Sequence, residues 1–127
     1  MEESLRLAEA IADALADKKA CDIVILEVDQ LVGYTSYFVI CTGRSDRQVK
    51  ALADQVVRTL RTDYKVRPLG SEGTERSSWV VIDYGDVVVH IFRQDERDFY
   101  DLEGLWRDAA QIPYAPAPPV LPPQAAH

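Results

Sequence analysis

The sequence is poor in the residues that build disulfide-bonded, metal-binding and membrane-spanning proteins. It contains two cysteines, and Cys21 and Cys41 show no metal-ligand spacing, so we expect reduced thiols rather than a disulfide or a zinc site. No apolar run reaches the roughly 18–20 residues of a membrane span. The acidic start, Met1-Glu2-Glu3, lacks the basic segment of a signal peptide. We therefore expect a cytoplasmic protein that does not contact membranes.

Positive charge is scarce as well. Lys and Arg number 14 and Asp and Glu number 21, which gives a formal net charge of −7. Because charge-driven binding to nucleic acid needs a basic surface, we expect no direct binding to DNA. An acidic surface is better suited to docking onto a basic protein.

The sequence does contain enough apolar material for one domain, arranged with the periods of helices and strands. Of its 127 residues, 47% are hydrophobic. Apolar residues at steps of three and four predict helices, and short apolar runs rich in β-branched residues predict strands. The predicted helices are residues 4–19, 46–60 and 94–110, and the predicted strands are residues 22–28, 37–41, 66–69, 79–83 and 87–92.

Two of these predicted elements carry residues that weaken them. Pro68 places the strand at residues 66–69 at a sheet edge or strand end, and a polar loop is expected to follow at residues 70–77. Gly104 lowers helix propensity in the last helix, which could break into two. The apolar residues of that helix fall on one predicted face: Phe99, Leu102, Leu105 and Trp106.

The order of elements predicts an α/β (α+β) fold in which helices pack on a mixed sheet of about five strands. Residues 113–127 hold six of the seven prolines and have too little apolar mass to pack. We therefore predict a domain at residues 1–112, followed by a proline-rich, disordered tail at residues 113–127. A PxxP ligand at Pro116–Pro119 is the weaker interpretation of that tail.

The turn between the second strand and the second helix has two interpretations. A glycine turn before a helix N-terminus, as at Gly43, often binds phosphate. However, neither GxxxxGK[ST] nor GxGxxG is present. Ser45 and Gln48 match a capping box, and Asp46 opposes the positive end of the helix dipole. The sequence favours a structural cap formed by Ser45, Asp46 and Gln48.

Carboxylates and histidine offer weaker candidates for chemistry. Glu27 and Asp29 would share a strand face, but they precede the turn, and Asp83 and Asp86 lie three apart across a hairpin. We therefore predict no catalytic residue, metal or cofactor. His90, the one histidine in the predicted domain, should share a face with Val88 and Phe92. A structural hydrogen bond to Asp83 across the hairpin, or a contact to a partner, is favoured over a general base.

The C-terminal third combines aromatic and acidic residues. Between Asp95 and Asp108 there are six acids and two arginines. Core packing beneath an ordinary surface helix explains this composition, and so does a protein-binding surface with aromatic hot spots inside an acidic rim. Both interpretations stay open on the residues alone. The aromatic residues are Trp79, Tyr84, Phe92, Phe99, Tyr100 and Trp106.

Three separated stretches, in order, resemble the ribosomal silencing factor family (RsfS, also called Iojap-like or YbeB). They are "ICTGRSDRQVKALADQVV", "PLGSEG" and "SSWVVIDYGDVVVHIFRQDERDFYDLEGLW", and the resemblance spans roughly residues 4–107. It implies a nucleotidyltransferase-like scaffold without enzymatic activity. It also implies binding to the large ribosomal subunit through ribosomal protein L-fourteen, which blocks joining of the small subunit when nutrients are scarce. Homodimers occur in the family.

The resemblance also implies where a partner would be contacted, in the hairpin and the helix that follows it. Trp79 and Trp106 are the expected hot spots. A nucleotidyltransferase-like enzyme using the Gly43–Ser45 turn and nearby carboxylates is the alternative function. The full set of expected partner-binding residues is Trp79, Asp83, Tyr84, Asp86, His90, Arg97, Tyr100, Leu105 and Trp106.

Overall fold

In a computed structural model, residues 2–29, 33, 35–73 and 78–115 are described. Four helices and six strands are formed by these residues. No helix in these ranges is long and apolar enough to cross a membrane. The helices are α1 (Glu2–Asp17), α2 (Asp46–Tyr64), α3 (Gln94–Tyr100) and α4 (Leu102–Leu105), and the strands are β1 (Cys21–Glu27), β2 (Tyr37–Gly43), β3 (Gly70–Glu72), β4 (Trp79–Asp83), β5 (Val87–Arg93) and β6 (Ala110–Ile112).

The strands form one mixed sheet in the order β3-β4-β5-β2-β1-β6. The central pair, β2 and β5, is parallel, with Tyr37 beside Val87 and Gly43 beside Arg93. The other neighbouring strands are antiparallel. The predicted α/β fold with a mixed sheet is therefore confirmed, with six strands instead of about five.

One face of the sheet, called the first face below, is covered by the two long helices. Apolar residues at helical spacing give α2 one buried side, which includes Leu52 and Val56. This side packs with α1 against strand residues such as Val89 and Ile91, which are fully buried. The first face holds most of the hydrophobic core.

The opposite side, called the second face, has a smaller cover. Its buried residues include Phe38, Val88 and Phe92. Leu102 of α4 and the following Trp106 pack against them at one end of the face. Because α3 and α4 have only seven and four residues, they cannot span the sheet as α1 and α2 do.

The strand predicted at residues 66–69 is wrong, and residues 70–72, predicted as the start of a loop, form β3 instead. Lys65 adopts a left-handed conformation that ends α2, and the Val66 amide donates to the Leu60 carbonyl at 3.0 Å. Pro68 has no amide hydrogen to donate. The first hydrogen bond to the sheet comes just after it, where the Leu69 amide donates to the Asp83 carbonyl at 2.7 Å, and β3 begins at Gly70.

The helix predicted at residues 94–110 breaks, at Asp101 rather than at Gly104. Asp101 has φ 46° and ψ 57°, and its carboxylate accepts a hydrogen bond from the Gly104 amide at 3.1 Å. A side chain at position 104 would displace that carboxylate, so glycine at this position preserves the capping hydrogen bond. The break also separates the predicted apolar face, because Phe99 and Leu105 are 80% and 67% exposed whereas Leu102 packs inward.

Beyond the last helix, β6 was not predicted. It pairs with the outer edge of β1, with Ile112 beside Ile25. The next residues follow α1, where the Tyr114 hydroxyl donates to Asp13 Oδ1 at 2.7 Å. Ordered structure thus reaches two positions past the predicted domain end. Residues 116–127, with the PxxP pattern, lie outside the described residues, and their assignment stays a prediction.

Candidate functional site

Four of the predicted partner-binding residues meet on the second face. The Trp79 ring lies 4.4 Å from Tyr100 and stacks on Phe92 at 4.9 Å, measured between ring centroids. Phe38 joins the two ends of the group, with its ring 4.9 Å from His90 and 6.2 Å from Trp106. Offset and edge-to-face contacts of this kind stabilise aromatic groups beyond the area they bury. We call Phe38, Trp79, His90, Phe92, Tyr100 and Trp106 the aromatic cluster.

His90 holds an unusual position in the aromatic cluster. The Trp79 indole nitrogen donates to His90 Nδ1 at 3.3 Å, and His90 Nε2 is buried without a hydrogen-bond partner in the described part of the chain. Burial lowers the pKa of His90 to about 4, so the ring is neutral at pH 7. His90 shares the second face with Val88 and Phe92, as predicted.

The residue across the hairpin from His90 is not the one predicted. Val81 lies opposite His90, and Asp83 lies opposite Val88. The expected hydrogen bond between Asp83 and His90 therefore does not form, and His90 is instead bonded to Trp79. The strands pair around a tight turn at Gly85, whose amide donates to Asp83 Oδ1 at 2.7 Å.

A groove opens on the second face beside the aromatic cluster. It has a volume of about 350 Å³ and runs between the edge strand β3 and strand β5. Val81 and Val88 are its apolar wall, and the carboxylates of Glu72 and Asp83 are exposed. We call it the β3–β5 groove. Its lining residues are Leu69, Gly70, Ser71, Glu72, Val81, Asp83, Val88 and His90.

Arg97 lies in the interior, although it was predicted to contact a partner. It is 7% exposed and binds both carboxylate oxygens of Glu103 at 2.9 Å. Its Nη1 also donates to the Asp22 carbonyl and the Thr42 hydroxyl, both at 2.7 Å. These contacts tie α3 and α4 to the start of β1, at Asp22, and to the end of β2, at Thr42. Arg97 thereby holds Tyr100 and Trp106 in place, and little of it is available to a partner.

Two further predicted residues, Tyr84 and Asp86, lie away from the aromatic cluster. Tyr84 is 8% exposed and belongs to the first-face core, where burial raises its pKa to about 12. Asp86 lies at the far end of the hairpin, where it accepts a hydrogen bond from the Ser4 hydroxyl of α1 at 3.2 Å. Leu105, in contrast, lies exposed on α4 just before Trp106.

The strand–turn–helix segment at Gly43 is occupied by the protein's own groups. Ser45 is the N-cap of α2, and its hydroxyl accepts from the Gln48 amide at 3.1 Å. The Gln48 side chain accepts from the Arg44 amide, one residue earlier than a capping box requires. Asp46 pairs with Arg93 at 2.9 Å. The turn therefore satisfies several of the amides that a phosphate would use.

Arg93 also bonds Asp95, at the start of α3. The two side chains make paired hydrogen bonds of 2.7 and 2.8 Å. The hydrogen bond from Arg93 lowers the pKa of Asp95 to about 2. Elsewhere within the described ranges, no group of three or more His, Cys, Asp or Glu side chains is arranged to hold a metal ion.

The β3–β5 groove itself was missed at the sequence level. Glu72 was included only within the stretch PLGSEG, and residues 70–72 were assigned to a loop. The missing information was the pairing of β3 with β4, which sets Ser71 beside Ile82 and Glu72 beside Val81. Three polar residues carry no periodic signal of a strand.

Comparison with known proteins places this chain in one family. The family described as "Ribosomal silencing factor during starvation" matches residues 1–127. The chain belongs to the ribosomal silencing factor family. It is 41% identical over 105 residues to ribosomal silencing factor RsfS of Bacillus subtilis strain 168, which covers 83% of this chain and 86% of that protein.

A solved structure and a more distant relative extend the comparison. A crystal structure of a Chromobacterium violaceum protein superposes with a TM-score of 0.79 at 40% identity, covering 87% of this chain and 89% of that one. A Mus musculus protein named for mitochondrial assembly of the ribosomal large subunit is 31% identical over 103 residues, which are 77% of this chain and 44% of that protein. The names of the family and of these relatives are those of regulatory or assembly factors, not of enzymes.

Proposed function

We propose that this protein is a translational repressor that binds the large ribosomal subunit and blocks joining of the small subunit. The proposed receptor on the ribosome is ribosomal protein L-fourteen, and the proposed occasion is nutrient limitation, in the cytoplasm. Membership of the silencing-factor family is the main support. The name of the mouse relative, which refers to the large subunit, agrees with this choice of subunit.

The second face is the proposed binding surface, because it is incompletely covered by helices. Trp79 is only partly buried, and Tyr100 is 44% exposed. Partly exposed aromatic rings on a rigid sheet are typical of binding hot spots, because little side-chain entropy is lost when they are covered. The proposed contact residues on this surface are Trp79, Asp83, His90, Tyr100, Leu105 and Trp106.

Charge supports a basic protein as the receptor. The chain carries a net charge of −7, two acidic residues line the β3–β5 groove with His90, and others lie in the first turn of α3. Complementary charge accelerates encounter and penalises wrong partners, while the aromatic rings supply most of the affinity. Repression of this kind is steric: the bound protein occupies space that the small subunit needs, and no reaction is required.

The proposal is tested by sedimentation with separated ribosomal subunits and by a subunit-joining assay. The protein should co-sediment with purified large subunits, fail to do so with small subunits, and reduce the yield of joined ribosomes in proportion to its occupancy. Binding to large subunits without any effect on joining would contradict the steric mechanism. Equal binding to both subunits would contradict the choice of receptor.

Trp79→Ala tests the surface. We expect it to weaken binding to large subunits by about 2 kcal/mol, or roughly thirtyfold, because the central ring of the aromatic cluster is lost. Tyr100→Ala, which removes a more exposed ring, should weaken binding with less effect on folding. Tyr64→Ala on α2, where the ring is 53% exposed, is the matched control and should bind normally. A folded Trp79→Ala protein that binds fully would remove this residue from the surface.

Self-association is a second proposal from the family, and it bears on the same surface. If homodimers cover the second face, dimerisation and ribosome binding should compete. Analytical ultracentrifugation across a concentration series, with and without large subunits, measures both.

No observation in the described residues favours the alternative of a nucleotidyltransferase-like enzyme, since the Gly43–Ser45 turn is occupied by caps and by the Arg93–Asp46 pair.

A further inference from the structure

The β3–β5 groove combines three features that separately would mean little. Its wall is apolar, at Val81 and Val88. Its rim has two carboxylates, Glu72 and Asp83, that reach it from different strands. It also includes His90, which is 8% exposed and has a buried nitrogen without a partner. A buried polar atom without a hydrogen-bond partner calls for an explanation, and a ligand group that completes the bond is one.

The missing bond has a defined direction. His90 Nδ1 accepts a hydrogen bond from the Trp79 indole, which has only a hydrogen to give. A neutral ring that accepts at Nδ1 carries its hydrogen on Nε2. His90 Nε2 is therefore a donor, and the missing group is an acceptor, such as a carbonyl oxygen. Phe38, Trp79 and Phe92 surround the ring and offer no acceptor on their side chains.

The carboxylates of the groove do not supply that acceptor. Asp83 lies opposite Val88, one residue pair away from His90 on this face, and its Oδ1 accepts from the Gly85 amide. Glu72 lies beside Val81 on the outer strand and is exposed. Both carboxylates are exposed residues that line the groove, and their negative charge favours a cation there.

We propose that the β3–β5 groove receives a lysine or arginine side chain from a basic segment of the ribosomal protein partner, and that a backbone carbonyl of the same segment accepts a hydrogen bond from His90 Nε2. This inference rests on the proposed function. The aliphatic stem of the side chain lies along Val81 and Val88, and its charged end meets Asp83 and Glu72. The groove volume of about 350 Å³ suits one or two side chains rather than a folded element.

The carboxylate rim and the His90 imidazole should differ in how their contribution to binding depends on salt. The ion pairs at the exposed rim should be screened by salt. The hydrogen bond from His90 lies against the apolar wall and should depend little on salt. Binding of the intact partner therefore has a salt-sensitive part that depends on the carboxylates and a salt-insensitive part that depends on the imidazole.

The experiment measures binding of the full chain to purified large subunits at low and high salt. The double variant E72Q/D83N should bind about tenfold more weakly at low salt and show a shallower salt dependence. H90L should bind about tenfold more weakly at both salt concentrations, because it removes the donor. H90Q, which can place an N–H group near the same point, should recover most of that loss. The matched control is D54N/D63N on α2, which makes the same change of charge on the first-face side and should bind normally.

The outcomes separate this inference from the function on which it rests. If the unaltered protein does not bind large subunits, the proposed function fails, and the groove proposal fails with it. If that protein binds and the groove variants bind equally well, only the groove proposal is overturned. Stronger binding by E72Q/D83N would also overturn it, because that result would place phosphate of ribosomal RNA at the rim instead of a basic side chain. Thermal unfolding of each variant confirms that weakened binding is not a loss of fold.

Discussion

The two faces of the sheet show how one small domain separates stability from recognition. The first face lies under helices of 16 and 19 residues, and its strand residues are fully buried. The second face lies under helices of seven and four residues, and it leaves Tyr100 and the β3–β5 groove accessible. A face that is completely covered can contribute only to folding. A face that is only half covered leaves apolar side chains exposed, and the sheet holds them in a fixed geometry that a partner can contact.

Leu52→Ala should have the largest effect on stability. Leu52 is fully buried between α2 and the sheet, so the cavity should lower the free energy of unfolding by about 3–5 kcal/mol. Urea unfolding measures the loss, and Lys50→Ala on the exposed side of α2 is the control. The protein that remains folded should bind large subunits normally. Weak binding by folded Leu52→Ala would mean that the faces are not independent.

Acid should destabilise the second face through His90. The pKa of His90 falls from 6.5 to about 4 on folding because the ring is buried. Between these values the unfolded chain binds a proton that the folded chain does not, so stability is complete above pH 6.5 and declines as the pH falls to 4. The expected loss is roughly 3 kcal/mol. Unfolding measured at pH 7 and pH 4.5 for wild type and His90→Gln isolates this contribution, which the variant should lack.

Arg97→Met should loosen the short helices without entering the first-face core. It removes four hydrogen bonds and leaves Glu103, which is 37% exposed, without its cation. We expect a loss of about 2–3 kcal/mol in stability, less than for a fully buried ion pair. Tryptophan fluorescence should shift to the red as Trp106 gains solvent. Arg107→Met, at an exposed position, should leave both the stability and the spectrum unchanged.

Ser45→Ala should have the smallest effect. Loss of the N-cap hydrogen bond should lower the free energy of unfolding by about 1 kcal/mol and leave binding to large subunits unchanged. Thr62→Ala, at an exposed position of the same helix, serves as the reference. A binding defect in Ser45→Ala at unchanged stability would give the turn a recognition role that the two-face comparison does not include.

Elements with a periodic apolar pattern could be predicted from the sequence, whereas those that depend on a neighbour could not. Helix α2 and strand β5 were predicted with nearly their observed bounds, because one buried side imposes its period on the residues. Strands β3 and β6 have three residues each and are strands only because an edge is available to pair with. The break at Asp101 depends on one residue adopting a left-handed conformation, which the apolar pattern does not encode.

The candidate site could also be predicted only in part: several of its residues were identified, but the burial of Arg97 was not. Trp79, His90, Tyr100 and Trp106 were identified from the resemblance and do lie together. Arg97 was predicted as a partner contact because it lies in the helix that follows the hairpin, where the resemblance places the contact surface. Its burial depends on Thr42 and Asp22, which are 55 and 75 positions away in the sequence.

The late position of β6 in the chain has a consequence for the order of folding. The hydrogen bond between Tyr114 and Asp13 joins residues 101 positions apart, and β6 closes the open edge of β1. During synthesis, this edge finds its partner strand only after residues 110–112 have been made. Until then β1 presents unpaired amides and carbonyls that strands of other nascent chains can capture. Truncation before residue 110 removes this partner strand and should therefore yield a product that aggregates rather than a smaller working domain.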